Sequence, residues 1–168
     1  MQYSIGTYIH ADNKGLMKYL LVAFSVYLGM SPAFGKTFEM PETIVQSFIA
    51  DHYAWNSKAN ARTRQTNSAS AMKASEREYE ELIKKYCRPG FKSQPISYGD
   101  EPFHDPNSEI IRSTKNTGAK AIVRTTHTRK ASYGTFVSNF EYHLSKIGDR
   151  WYLDSVLYVD ADGKYESL

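Results

Sequence analysis

Residues 121–159 read AIVRTTHTRKASYGTFVSNFEYHLSKIGDRWYLDSVLYV, and this stretch decides the fold. Ala121, Val123, Thr125 and His127 alternate with Ile122, Arg124, Thr126 and Thr128. Phe136, Ser138, Phe140, Tyr142 and Leu144 alternate with Val137, Asn139, Glu141 and His143. Trp151, Leu153, Ser155, Leu157 and Val159 alternate with Tyr152, Asp154, Val156 and Tyr158. A period of two marks strands with one face against a core. The separators, Ala131-Ser132-Tyr133-Gly134 and Ile147-Gly148-Asp149, are short and carry the glycine that hairpin turns favour. Glu109 to Thr114, ahead of an Asn116-Thr117-Gly118 turn, adds a shorter strand. The pattern predicts an antiparallel meander of about four strands.

Towards the N-terminus the period lengthens. Pro41-Glu42 suits a first helical turn, where proline has no hydrogen bond to lose and a carboxylate meets the positive end of the dipole. Ile44, Val45, Phe48, Ile49, His52 and Trp55 follow at three- and four-residue steps, predicting an amphipathic helix to about Arg62. Thr63 to Ala71 reads as a polar connection. Ser75-x-x-Glu78 matches a capping box, with Tyr79, Leu82, Ile83 and Tyr86 as the apolar face of a second helix ended by Pro89-Gly90. From Phe91 to Ser108 no period is visible. Pro95, Gly99, Pro102 and Pro106 predict an ordered surface segment or a functional loop. The layout is α+β, two helices against one face of an antiparallel sheet.

Residues 17–35 have a different character. Lys14 and Lys18 supply a basic start, Tyr19 to Met30 is uncharged, and Ala33-Phe34-Gly35 places small residues before Lys36. This is the pattern of a secretory signal peptide. The uncharged run is shorter than the roughly 20 apolar residues a membrane span needs. The expectation is a signal peptide over residues 1–35, translation starting at Met17, and a domain over 36–168 that is periplasmic or secreted and has no membrane span after cleavage.

The 168 residues carry 21 Lys+Arg against 18 Asp+Glu. Residues 1–35 hold two of those lysines and one aspartate, which leaves the domain near neutral. A nucleic-acid binder normally shows a marked basic excess, so no nucleic-acid partner is expected. Cys87 is the single cysteine, excluding an intramolecular disulfide, and burial is expected for it.

Several landmarks occur together in order: Phe48-Ile49-Ala50-Asp51 with Trp55, Tyr86-Cys87, Tyr98-Gly99, His104-Asp105-Pro106 with Glu109, Tyr142, Trp151-Tyr152-Leu153 and Asp162-Gly163-Lys164. With these, the chain from about Phe48 to Leu168 resembles the bacterial immunity proteins of nuclear transport factor 2-like fold. The resemblance implies a cone, a strongly bent sheet wrapped over the helices, and a role in binding and neutralising a partner toxin. With the export signal, that toxin is expected to act in the periplasm or at the envelope.

The same fold hosts enzymes that place an acid or base inside the cone, and His127, Glu141, His143 and Asp154 are the residues to weigh. Pairing about the Ser132-Tyr133 turn sets His127 near Ser138 and His143 near Ile122. That separates the histidines by about five rungs, roughly 16 Å at the usual strand rise, too far for a dyad. Asp154 falls by parity on the Tyr152/Val156/Tyr158 face. His104-Asp105 with Glu109 is the one cluster with a metal-like composition, but Asp before proline favours a turn in which its side chain bonds the backbone. No glycine-rich phosphate loop or nucleophile elbow occurs. Neither a cofactor nor a metal is expected, and the reading is a non-enzymatic binding protein. Trp55 and Trp151 are expected in the core. Tyr98, Phe103, His104, Asp105 and Tyr158 are the candidate partner contacts, aromatics being enriched at binding hot spots. The alternatives are a periplasmic enzyme or small-ligand binder using the cone interior, and a structural component of an envelope complex.

Overall fold

The computed structural model describes residues 39–168. The signal peptide and the Met17 start lie outside them. Helix α1 spans Pro41–Gln65 and α2 spans Ala69–Tyr86. Five strands follow: β1 Glu109–Asn116, β2 Lys120–Ala131, β3 Gly134–Ile147, β4 Arg150–Val159 and β5 Lys164–Glu166. They form one antiparallel sheet in chain order.

Helix α1 begins with Pro41 at its first positions and Glu42 in its first turn, and ends with Arg62 and Arg64 in its last. Each charge suits the dipole end it occupies. Its inward stripe of Ile44, Val45, Phe48, Ile49, His52 and Trp55 is buried, as its spacing predicts.

Helix α2 starts earlier than the sequence pattern suggests. Its N-cap is Ser68, whose Oγ accepts from the Ala71 amide at 3.2 Å, so only residues 66–68 connect the helices. Ser75 therefore lies inside the helix and caps nothing. It is fully buried against α1, its Oγ donating to the Ala71 carbonyl and accepting from Arg62, while the Trp55 indole donates to its carbonyl at 3.0 Å. The capping-box spacing is matched, but those partners hold Ser75 within the helix. Arg62 also reaches Glu78, so one guanidinium ties both helices.

The β2–β3 register pairs Ile122 with His143 and His127 with Ser138, as the turn position predicts. Gly148 has φ +61° between Ile147 and Arg150, at the first central position where a type II′ hairpin turn takes glycine. The alternation in β4 is not continuous. Leu144 pairs with Leu153, His143 with Ser155 and Tyr142 with Val156, so Asp154 is the extra residue of a bulge. Trp151 and Leu153 thus share the core face with Val156 and Tyr158, and Asp154 is not on that face. A second irregularity falls between Ile111 and Ser113 in β1. Bulges bend a strand and add twist, which curves this sheet around the helices.

The core joins the α1 stripe and Tyr79, Leu82, Ile83 and Tyr86 of α2 to Val123, Phe140, Tyr142, Leu144, Trp151 and Leu153 of the sheet. Both tryptophans are buried in it. Cys87, just past α2, is enclosed and bridges in parallel to Leu153, and burial pushes its thiol up to about 12. The segment between α2 and β1 has no regular element. It is fixed by Asn56, whose amide donates to the Gly99 carbonyl at 2.8 Å and accepts from the Gly99 N–H at 3.1 Å, and by Thr63 bonding the Tyr98 hydroxyl at 2.8 Å.

Strand β5 is too short for a period to reveal it. Asp160 folds the chain back by accepting from the Asp162 and Gly163 amides, which pairs Tyr165 with Tyr158 and Glu166 with Leu157.

Candidate partner-binding site

Two histidines meet inside the fold. His52 comes from the buried stripe of α1, its ring 5.6 Å from Phe48 and 5.3 Å from Trp55. Burial, aided by the nearness of His104, pushes its imidazole down to about 3, so it is neutral in ordinary buffers. Its Nδ1 is enclosed with no hydrogen-bond partner among the described residues. His104 is delivered by the long loop, only 1% exposed, its ring 5.0 Å from His52 at 88°.

Behind His104 lies a closed polar network. Glu109, at the start of β1, has a fully enclosed side chain. Its Oε1 accepts from Thr125 at 2.5 Å and from the Tyr142 hydroxyl at 2.6 Å, and its Oε2 lies 2.9 Å from His104 Nδ1. Because Tyr142 donates to Glu109, its oxygen is left to accept from the same Nδ1 at 2.9 Å. Nδ1 of His104 therefore carries a proton, aimed at both acceptors. Burial alone would raise the Glu109 carboxyl. The hydrogen bond and charge interaction with His104, with Thr125 and Tyr142 adding, outweigh it and hold the group below the ordinary carboxylate range. Burial and Glu109 in turn drive the Tyr142 phenol well above its usual value. The carboxylate thus orients His104 from behind.

In front of the two histidines opens a cleft of about 420 Å³. Tyr79 of α2, Phe103 of the loop, Tyr158 of β4, and Tyr165 and Glu166 of β5 line it, with Gln94 at its edge. Phe103 is 61% exposed and Tyr165 49%, a high exposure for such large rings. Tyr165 stands against Tyr158 with centroids 6.4 Å apart.

Of the five candidate contacts, the fold brings Phe103, His104 and Tyr158 to this one cleft. Tyr98 lies apart, its ring edge-on to Trp55 and its hydroxyl on Thr63, where it fixes the loop to α1. Asp105 organises the turn before β1: its carboxylate accepts from the Asn107 amide and the Ser108 hydroxyl, and its carbonyl from the Glu109 amide. Among the described residues no group of three His, Cys, Asp or Glu side chains is placed to hold a metal ion.

Of the residues weighed for catalysis, Glu141, His143 and Asp154 lie near one another on the outer side of the sheet and His127 lies apart. His127 is buried on the core face opposite Glu109, and burial lowers its imidazole. His143 and Glu141 belong to the opposite face of the sheet. His143 pairs with Ile122 on the outer face, 3.1 Å from Glu141. Burial would raise the Glu141 carboxyl, but Lys164, His143 and Arg124 together draw it down to about 2. Asp154, at the bulge, accepts from Ser145. Sequence reading passed over Tyr79, Tyr165 and Glu166. A turn residue pair followed by a three-residue strand gives no periodic signal, and Tyr79 reads simply as helix core. His52 did carry a signal, as the one polar side chain on the apolar stripe of α1.

A family model described as NTF2 fold immunity protein matches residues 40–166, nearly all of the described chain. The chain belongs to this family. Neither the curated proteins nor the solved structures gave a significant match. The two helices on a five-stranded antiparallel sheet are the NTF2-like fold. Membership gives the protein an immunity function in general, and with it a toxin as partner in general. No helix among the described residues is long and apolar enough to cross a membrane.

Proposed function

We propose that this immunity protein is exported and neutralises its toxin by direct binding, without catalysis, through the face that carries the aromatic cleft. The observation that supports this most is the exposure of Phe103 and Tyr165 in a cleft whose floor residue His104 is hydrogen-bonded from behind. Exposed rings on a fixed support are the anchors that dominate protein interfaces, because they bury large area at little cost in conformational freedom. The floor is held by the Glu109, Tyr142 and Thr125 bonds behind His104, so the surface is formed before the partner arrives. The sequence pattern of residues 17–35 supports export, which points to a toxin acting in the periplasm or at the envelope.

The cleft also reaches the two buried imidazoles, and this favours a small-ligand site as the second reading. The test is survival. The product of the adjacent gene, taken as the candidate toxin, is directed to the periplasm of a sensitive host, with the full-length chain or one lacking residues 17–35. Survival only with the exported form supports the proposal. Equal protection by both forms removes the periplasmic assignment, and protection by neither removes the toxin.

A further inference from the structure

We infer that the bare edge of the β2–β3 hairpin adds a strand from the toxin, an extended, uncharged segment pairing antiparallel with residues 134–138 of β3; this rests on the toxin-binding reading and adds a main-chain contact to it. Strand β1 pairs with β2 only as far as His127, and β4 pairs with β3 only from Asn139. Residues 128–137 therefore project as a two-stranded ribbon, from Thr128↔Val137 to Ala131↔Gly134. Its two edges differ. On the β2 side the long loop closes it: the Thr128 N–H donates to the Ser108 carbonyl at 3.1 Å, and Arg129 pairs with Glu101. On the β3 side, no main-chain group of residues 134–138 has a partner outside the hairpin among the described residues. Bonded and non-bonded pairs alternate in an antiparallel ladder. The two-residue Ser132-Tyr133 turn closes on Ala131 and Gly134 as a bonded pair, so Lys130↔Thr135 and Thr128↔Val137 are non-bonded ones. The outward Thr128 N–H agrees with that phase. The N–H and C=O groups of Thr135 and Val137 thus point into the lane that β4 leaves at Val159.

Open edges are normally blunted by charge, proline or a bulge. Strand β1 carries Arg112, Lys115 and a register shift, and β5 has three residues. Residues 131–140 hold no charge and no proline, and the β2–β3 register runs unbroken. Phe136 is 40% exposed and Val137 57%, which offers an added strand apolar side chains for cross-strand pairs. A charged segment would find no counter-charge on those ten residues. Position favours the toxin over a second copy. The added strand continues the line of β4, whose Tyr158 lines the cleft, so the two contacts adjoin. A five-residue edge alone falls short of the roughly 20–30 residues a side that a stable interface takes. Joined to a larger surface, it supplies main-chain hydrogen bonds as strand addition does elsewhere.

The test is amide hydrogen exchange, followed by NMR, on the purified protein with and without the product of the adjacent gene as candidate toxin. In the free protein the Thr135 and Val137 amides should exchange faster than that of Phe136, and in the complex they should slow by at least about tenfold. A complex that leaves both at their free rates overturns this inference and leaves the toxin-binding reading standing. Absence of any complex overturns that reading, and this inference with it. Slowing that grows with the concentration of the free protein assigns the edge to a second copy and overturns the toxin as its occupant. Val137→Pro removes one outward donor and no bond of the β2–β3 ladder. It is expected to weaken the complex at least about tenfold, against a smaller loss for Val137→Ala, which keeps the N–H. Equal losses would make the contact one of side chains and overturn the strand pairing.

Discussion

Glu109 is a charged group with no access to water and three donors aimed at it, so its removal strands Thr125, Tyr142 and His104 together. Breaking a buried charge network by deleting one member costs about 3–5 kcal/mol. Glu109→Ala is expected to lower unfolding stability by that amount in urea titrations, and Glu109→Gln by about 1–3 kcal/mol, because one acceptor oxygen survives. His52 gives a different signature. Its unfolded imidazole takes up a proton near 6.5, whereas the folded one resists until about 3. Between those values the unfolded chain holds more protons, so stability rises with pH across the window and falls on acidification. The slope attributable to this one group is at most about 1.4 kcal/mol per pH unit. Urea midpoints at pH 7, 6 and 5 should decline more steeply in wild type than in His52→Phe; parallel declines would remove His52 as the cause. At this scale the sequence placed His52 on an apolar stripe but did not mark it as a site residue. It did not reveal the Glu109 network, because the loop that brings His104 back has no periodic pattern, and the bond to Tyr142 spans 33 residues.

Among the elements, the second helix separates composition from position. A run rich in Ser, Thr, Asn and Gln reads as a connection, yet residues 69–75 are helical because Ser68 supplies the cap and Ser75 finds partners on α1. Ser68→Ala should therefore cost about 1 kcal/mol and speed amide exchange in the first turn of α2. Normal protection there in the variant would contradict the cap. The long helices and strands were legible, since each presents several turns or rungs of one period. Strand β5 was not, and the bulge at Asp154 was hidden because alternation by parity has no way to register an inserted residue. That error is local: it moves Val156 and Tyr158 to the core face and Asp154 away from it. It matters for function, because Tyr158 at the cleft depends on that shift.

For the whole molecule, the order of helices and strands and the β2–β3 register followed from the sequence, because patterning sets which face is buried and short turns set the pairing. The cleft was legible only in part. Its lining comes from α1, α2, the long loop, β4 and β5, and no sequence period links residues so far apart. What unites them is the sheet's curvature around α1, which turns the aromatic residues of β4 and β5 towards the loop carrying Phe103. Under the proposed function, one surface is responsible for neutralisation. The most direct measurement is calorimetric titration of the adjacent gene's product, as candidate toxin, with the wild-type protein and with Phe103→Glu, a change at an exposed position that leaves the core untouched. The account predicts a saturable complex with wild type and a loss of at least about tenfold in affinity for Phe103→Glu. Undiminished affinity in the variant would contradict it, as would the absence of any complex with wild type.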